Sequence, residues 1–360
     1  MNNQLSNTLN FLRWFAALMV VVGHLRSFLF VEYNLVENKT IFIKLFYFIT
    51  GFGHQAVIVF FVISGYLVGG AVLKKYKENK LNNEYIKSYF IKRFTRIYIV
   101  LIPALIIGYI LDYYGNINFS DLYTNVFHIS SMNSNVSEHL SLLTLVGNML
   151  NLQTIFVSTL GTNGPLWSLA NEWSYYILFI LLFINNWTRI LFLGIVVLLV
   201  FKNIDILIYS SIWFMGSYIV LVKKRLIHRY LAVTILFIIL ILSRKYNEFY
   251  IDLALALSIS LLINSLKNDI SSRVYFKNLN HKMADFSYSL YLFHFPFFVF
   301  LISVFYIYGV NSILMQPTIT NLLYYFSFML LIYLYVYLLF FVFEKNTINI
   351  QKYLIKKKSN

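Results

Sequence analysis

Apolar residues fall in long blocks, separated by polar connections that carry Asn, Lys and Arg. A block of about 20 apolar residues, wound as a helix, matches the hydrocarbon core of a bilayer. Ten spans are read on this basis, over 8–30, 54–73, 95–113, 166–184, 189–201, 206–222, 230–243, 250–266, 284–307 and 321–343. Those at 189–201 and 230–243 are short for a crossing. The first block reads as a span rather than a signal peptide. It is long, holds Arg13 and His24, and lacks a small-x-small cleavage site. Between 114 and 165 the chain is rich in Asn, Ser and Thr. Within it, 140–160 is moderately apolar but broken by Gly147, Asn148 and Asn151, which predicts an interfacial or re-entrant helix.

Composition narrows the class. Hydrophobic residues make up 59% of the chain and charged residues 12%, with a mean hydropathy of +0.70. A soluble domain carries about 25% charged residues, so a soluble fold and a disordered chain are both excluded. The reading is an all-α, polytopic transmembrane helical bundle. With no cysteine, disulfides, iron–sulfur clusters, zinc–thiolate sites and a cysteine-bound thioester are ruled out.

The net charge of +15 would suggest nucleic acid in a soluble protein. Its distribution says otherwise. Alternate connections hold 22 basic residues, eight of them between Lys74 and Arg96 and five between Lys345 and Lys358. The opposite connections hold six: Arg26, Lys39, Lys44, Lys202, Arg244 and Lys245. The richer side is expected to be cytoplasmic, which puts both termini inside and leaves the charge as topology, with no nucleic-acid partner.

Ionisable groups in hydrocarbon are costly and generally face a partner, water or substrate. Arg13 and His24 are eleven residues apart on the first span. They share one helix face, about 16 Å apart. Glu172 lies one turn after Ser168 in Gly164-Pro-Leu-Trp-Ser-Leu-Ala-Asn-Glu172. There Pro165 suits a helix start and Trp167 the outer aromatic belt. Asp252 and Asp285 sit at span ends, within reach of water. Ser287, Tyr291 and His294 line one face of the ninth span, just before Pro296. Gly65 and Gly69 have the spacing that lets helices approach closely. Arg93 and Arg96 stand on one face of a helix start, suited to forked bonds to phosphate. Each feature has a structural alternative: a snorkelling arginine, a bonded core histidine, a packed carboxylate, a hydrogen-bonded stripe, or a plain positive loop.

Taken together, these motifs resemble acyltransferase family 3, membrane O-acyltransferases of bacterial surface glycans. Arg13 to His24 resembles its arginine–ten residues–histidine motif, and Phe60 to Leu67 (FFVISGYL, holding Ser64) its second-helix signature. Arg93-x-x-Arg96 resembles its cytoplasmic arginine pair. Leu166 to Glu172 resembles its tryptophan–serine–glutamate motif, and Ser287 to Pro296 its SYSLYLxHxP motif. The likeness runs from Leu9 to about Phe343. Two positions depart from it: Ile97-Tyr98-Ile99 stands where a proline is common, and Asn171 where an aliphatic residue is common.

The resemblance implies a membrane domain over 1–345 and a basic cytoplasmic tail over 346–360, in a bacterial plasma (inner) membrane. It implies transfer of an acetyl or other short acyl group from cytoplasmic acyl-CoA to a hydroxyl of a surface or lipid-linked glycan, such as O-antigen, capsule or exopolysaccharide. Acyl-CoA would be a substrate, with no permanently bound cofactor and no metal. His24 and Glu172 would be catalytic, and Arg13, Arg93 and Arg96 donor-binding. Ser64, Trp167, Ser168, Ser287, Tyr291 and His294 would support them, with membrane lipids around the whole. A glycan polymerase, a flippase or a secondary transporter would share the composition, but a transporter usually shows repeated halves, and the sequence contains none.

The topology is testable because the chain has no cysteine. Single cysteines at Lys80 and Asn135 are expected to divide, with position 135 labelled from outside by an impermeant maleimide and position 80 protected. Labelling at 80 but not at 135 would invert the orientation.

Overall fold

Helix starts follow Asn and Thr residues in the connections. Asn2 accepts from the Leu5 N–H (2.8 Å), Asn82 from Tyr85 (2.9 Å) and Asn185 from Thr188 (2.9 Å). Backbone groups have no water partners in hydrocarbon. A chain this apolar therefore resolves into helices that bond their own backbone and cap their ends.

The computed structural model describes residues 2–127, 129, 132, 135–267, 274–308 and 313–356. Arg273, Lys357 and Lys358, part of the charge pattern above, lie outside the described residues. In chain order the helices are α1 (Asn3–Leu29), α2 (Ile41–Ile49) and α3, which runs from Gly53–Ser64 through a π-helical stretch, Gly65–Gly69, into Gly70–Lys77. Then come α4 (Asn83–Asn118), α5 (Leu142–Met149), α6 (Leu166–Ile184), α7 (Asn186–Lys202), α8 (Ile204–Tyr218), α9 (Arg229–Leu242), α10 (Phe249–Lys267), α11 (Lys277–Asp285), α12 (Ser287–Tyr308), α13 (Ile319–Val342) and α14 (Thr347–Lys356). The chain is an all-α polytopic bundle. Among the described residues, eight helical runs are long and apolar enough to cross a membrane.

The two short spans are helices of 17 and 14 residues, α7 and α9. Of these, α9 connects the two ends of the bundle. Leu226, before α9, donates to Asn264 Oδ1 near the close of α10 (2.8 Å). Just past α9, Arg244 donates to Gly51 O (2.6 Å), beside the start of α3. For α7, Phe183 before it packs on Tyr76 at the close of α3, while Asn203 after it donates to Thr154 O (3.1 Å). Both described termini lie at the end that carries Lys74 to Lys80, here called the basic end. Asn2 Nδ2 donates to Leu266 O (2.8 Å), and Gln351 Nε2 to Thr95 Oγ1 (3.2 Å).

The Gly65/Gly69 pair is a packing seam. A Cβ on Gly65 would lie 1.9 Å from Trp213 O, and one on Gly69 would lie 2.1 Å from Ser217 Oγ. Gly216 returns the contact against Val62 O. Only hydrogen at these positions lets α3 and α8 approach so closely. The π-helical stretch begins immediately after Ser64.

The 140–160 segment is re-entrant, though only α5 within it is helical. Past α5 the chain descends until Asn151 Nδ2 donates to Tyr98 Oη (3.0 Å). It then climbs until Thr162 donates to Asp112 through its N–H (2.7 Å) and Oγ1 (2.9 Å). Tyr98 and Asp112 are both on α4, about 21 Å apart along the axis. Gly161 makes the return turn in the left-handed region (φ +54°), where a Cβ would strike Asp112.

Trp167, at the start of α6, packs on Phe61 (6.2 Å) and Tyr209 (6.4 Å). Asp252 is not watered. It is buried, 2.8 Å from His54 Nε2, and accepts from Tyr209 Oη (3.3 Å).

The last helices are tied back by one buried carboxylate. Glu344 accepts from Arg96 Nη1 (2.6 Å), Ser289 N (2.8 Å) and Ser289 Oγ (2.7 Å), joining the close of α13 to α4 and α12. Glu344→Ala is expected to destabilise the protein by about 3 kcal/mol, because it strands the Arg96 charge. Ser289→Ala should cost about 1 kcal/mol. Unfolding equilibria in mixed micelles check this, and an equal, small effect of the two substitutions would contradict it.

Candidate functional site

A cavity of about 560 Å³ enters the bundle from the basic end. Its walls bring together Arg13 of α1, Ser64 of α3, Arg93 and Arg96 of α4, Ser168 and Glu172 of α6, and Ser287 and Tyr291 of α12. These residues are far apart in sequence and were each singled out there. Lys92 and Lys345 also line the cavity, so its wall carries five Lys or Arg side chains against three carboxylates, Glu172, Asp285 and Glu344.

Glu172 is held at mid-cavity. Ser64 Oγ and Tyr176 Oη both donate to its Oε1. Trp213 Nε1 donates in turn to Ser64 Oγ (3.1 Å), across the glycine seam. Glu172 therefore belongs to a serine–tyrosine–tryptophan cluster, and it is not the partner of His24. The arginine pair is not symmetric. Arg96 gives Nη1 to Glu344 and lies over the Tyr288 ring (4.9 Å), so part of its fork is already used. Arg93 lies over the Tyr176 ring (5.7 Å), and its Nε has no partner among the described residues.

The inner end of the cavity closes at Tyr291. Its hydroxyl is 2.6 Å from Ser168 Oγ and donates to Pro165 O (2.9 Å). Beyond Tyr291 lie the two histidines. His24 Nδ1 is 3.1 Å from His294 Nε2, with the rings parallel. His294 is fully buried and His24 half-buried.

The protons of this pair follow from its surroundings. His294 Nδ1 is 2.9 Å from the carbonyl oxygens of both Leu290 and Tyr291. A carbonyl can only accept, so Nδ1 carries the hydrogen. In the neutral ring Nε2 is then bare and must accept. The group facing it is His24 Nδ1, which must therefore be the donor. That leaves the lone pair of His24 on Nε2, which has no hydrogen-bond partner among the described residues. Two backbone carbonyls thus set the tautomer of both rings.

The sequence also explains how α12 and the re-entrant segment meet here. Pro296 has no N–H to give to Leu292 O, four residues back. Asn163 Nδ2 donates to that carbonyl instead (3.0 Å). The bond brings the chain before α6 against α12, where Pro165 O can accept from Tyr291.

Sequence reasoning did not find Tyr176, Glu344 or Asn163 as contributors. An acid at the close of the last span was a visible signal for Glu344. Tyr176 and Asn163 are two among many tyrosines and asparagines, and nothing local distinguishes them.

Comparison with known proteins agrees with this assembly of motifs. No curated protein and no solved structure matches the chain. The acyltransferase family 3 model, an acyltransferase domain, matches residues 6–341, which include every residue placed in the cavity wall except Glu344 and the residues after it, as well as both histidines. The chain is a membrane acyltransferase and belongs to acyltransferase family 3.

Proposed function

We propose that the protein moves an acetyl or other short acyl group from acyl-CoA, bound from the cytoplasm at the basic end, to a hydroxyl of a surface or lipid-linked glycan of a bacterial cell envelope. The observation that carries this reading is the directed histidine pair, at the inner end of a cationic cavity. Acyl transfer to a hydroxyl needs a base near neutral pH. His24 Nε2 offers a lone pair aimed away from His294.

Arg13, Arg93 and the free part of the Arg96 fork suit the phosphates of an acyl-CoA. The thioester arm would then extend inward past Ser64, Glu172 and Ser287. The Tyr291–Ser168 contact must open for the thioester to meet His24. His24 Nε2 takes the hydroxyl proton as the oxygen attacks the thioester carbonyl. The C–S bond breaks, and the departing thiolate recovers the proton from the imidazolium. An acyl-histidine relay would use the same nitrogen as nucleophile, expelling the thiolate before the hydroxyl attacks. His294 is a positioning residue in either route. Glu172, held by Ser64 and Tyr176, remains able to accept from a substrate hydroxyl.

His24→Gln is expected to lower kcat by at least about 10³-fold, because glutamine cannot act as base. Retention on immobilised CoA should be unchanged. His294→Ala should lower kcat by about 10–100-fold, through loss of tautomer control. CoA release, together with the acyl content of the glycan by mass spectrometry, checks both. Near-normal transfer by His24→Gln would overturn the assignment, and so would an inactive His294→Ala beside an active His24→Gln.

A further inference from the structure

Of the three carboxylates that border the cavity at the basic end, two have a basic partner. Glu344 bonds Arg96, and Asp285 Oδ2 lies 3.0 Å from His281 Nδ1. Glu172 forms no ion pair among the described residues. Its Oε1 takes both nearby donors, Ser64 and Tyr176, and these fix how the carboxylate is turned. Oε2 has no hydrogen-bond partner among the described residues, and it is not sealed inside the protein: Glu172 is half-buried and borders the cavity. A space walled by arginines and lysines thus contains an unpaired carboxylate oxygen.

Whatever fills that space must satisfy Oε2. An anionic group would meet a like charge. A hydrocarbon chain would leave the carboxylate desolvated and unbonded, which is costly. A neutral O–H or N–H group satisfies it. Acyl-CoA offers its groups in a fixed order: phosphates, then a pantetheine arm with a hydroxyl and amide N–H groups, then the thioester. The cavity wall has a matching order. Arg93 lies over the ring of Tyr176 (5.7 Å), whose hydroxyl bonds Glu172. Ser168, one turn before Glu172 on α6 and about 6 Å away along the axis, meets Tyr291 at the inner end. Cation, carboxylate and hydroxyl pair follow one another toward the histidines.

From this we infer that Glu172 is a donor-binding residue, whose Oε2 accepts from the hydroxyl or an amide N–H of the pantetheine arm and so sets how far inward the thioester reaches. This rests on the acyl-CoA reading, and it takes Glu172 out of the proton transfer at His24. The charge of Glu172 acts with opposite sign on the two parts of the donor. It repels the phosphates and holds the arm by a charge-assisted hydrogen bond.

The test is calorimetry of the full chain in lipid nanodiscs, with CoA and with its adenosine bisphosphate portion, which carries phosphates but no arm. Glu172→Gln keeps the size of the side chain. Ser64 and Tyr176 hold its carbonyl oxygen, so its amide turns a donor toward the arm. CoA should bind this variant at least about tenfold more weakly, the loss of one hydrogen bond to a charged group. Adenosine bisphosphate should bind it as tightly as before or more tightly, which also reports that the variant is folded. On the unaltered protein, pantetheine, which has the arm and no phosphate, should compete with CoA, and that measurement needs no variant. Unchanged or tighter CoA binding by Glu172→Gln, equal weakening of both ligands, or pantetheine that does not compete would overturn the assignment. An unaltered protein that binds neither CoA nor adenosine bisphosphate would overturn the donor reading itself.

Discussion

The two backbone carbonyls that meet His294 Nδ1 are the constraint from which the rest of the site follows. A buried imidazole must satisfy both of its nitrogens, and here one of them has only acceptors within reach. The hydrogen is fixed there, the other nitrogen must accept, and His24 is left with its lone pair on Nε2. A carboxylate in place of the carbonyls would do the same work but would bring a charge into hydrocarbon, at substantial cost. The helix supplies neutral acceptors already bound in place.

The remaining architecture holds this pair at the inner end of the cavity. Pro296 frees Leu292 O, Asn163 takes it, and the re-entrant segment is drawn against α12 so that Pro165 and Ser168 meet Tyr291. On the other side, the glycine seam brings Trp213 to Ser64 and so steadies Glu172. Glu344 closes the basic end by bonding Arg96 and Ser289. Each is a buried polar contact with its partner present, as a low-dielectric interior requires.

Much of this was legible in the sequence, because it rests on helical periodicity. Arg13 and His24 fall on one face by arithmetic, and the ordered motifs along the chain carried the family. The long apolar helices were legible too: among the described residues eight runs are long and apolar enough to cross a membrane, while α7 and α9, read as spans, are shorter than that. What escaped depends on contacts between distant segments. Asp252 looked solvated because it sits at a helix end, yet His54 and Tyr209 cover it. Arg96 looked free because its partner, Glu344, is far along the chain. The pairing of His24 with His294 joins the first and ninth spans, and no local pattern encodes it.

The central claim is the direction of the histidine pair, and nitrogen-15 magnetic resonance of the histidine-labelled protein in nanodiscs measures it directly. The chain has seven histidines, and His24→Gln and His294→Gln identify the two signals in question. At a pH where both rings are neutral, each should carry its hydrogen on Nδ1, with the Nε2 resonances at the position of a bare nitrogen. A hydrogen on Nε2 of His24 would leave it without a lone pair facing a substrate and would contradict the account.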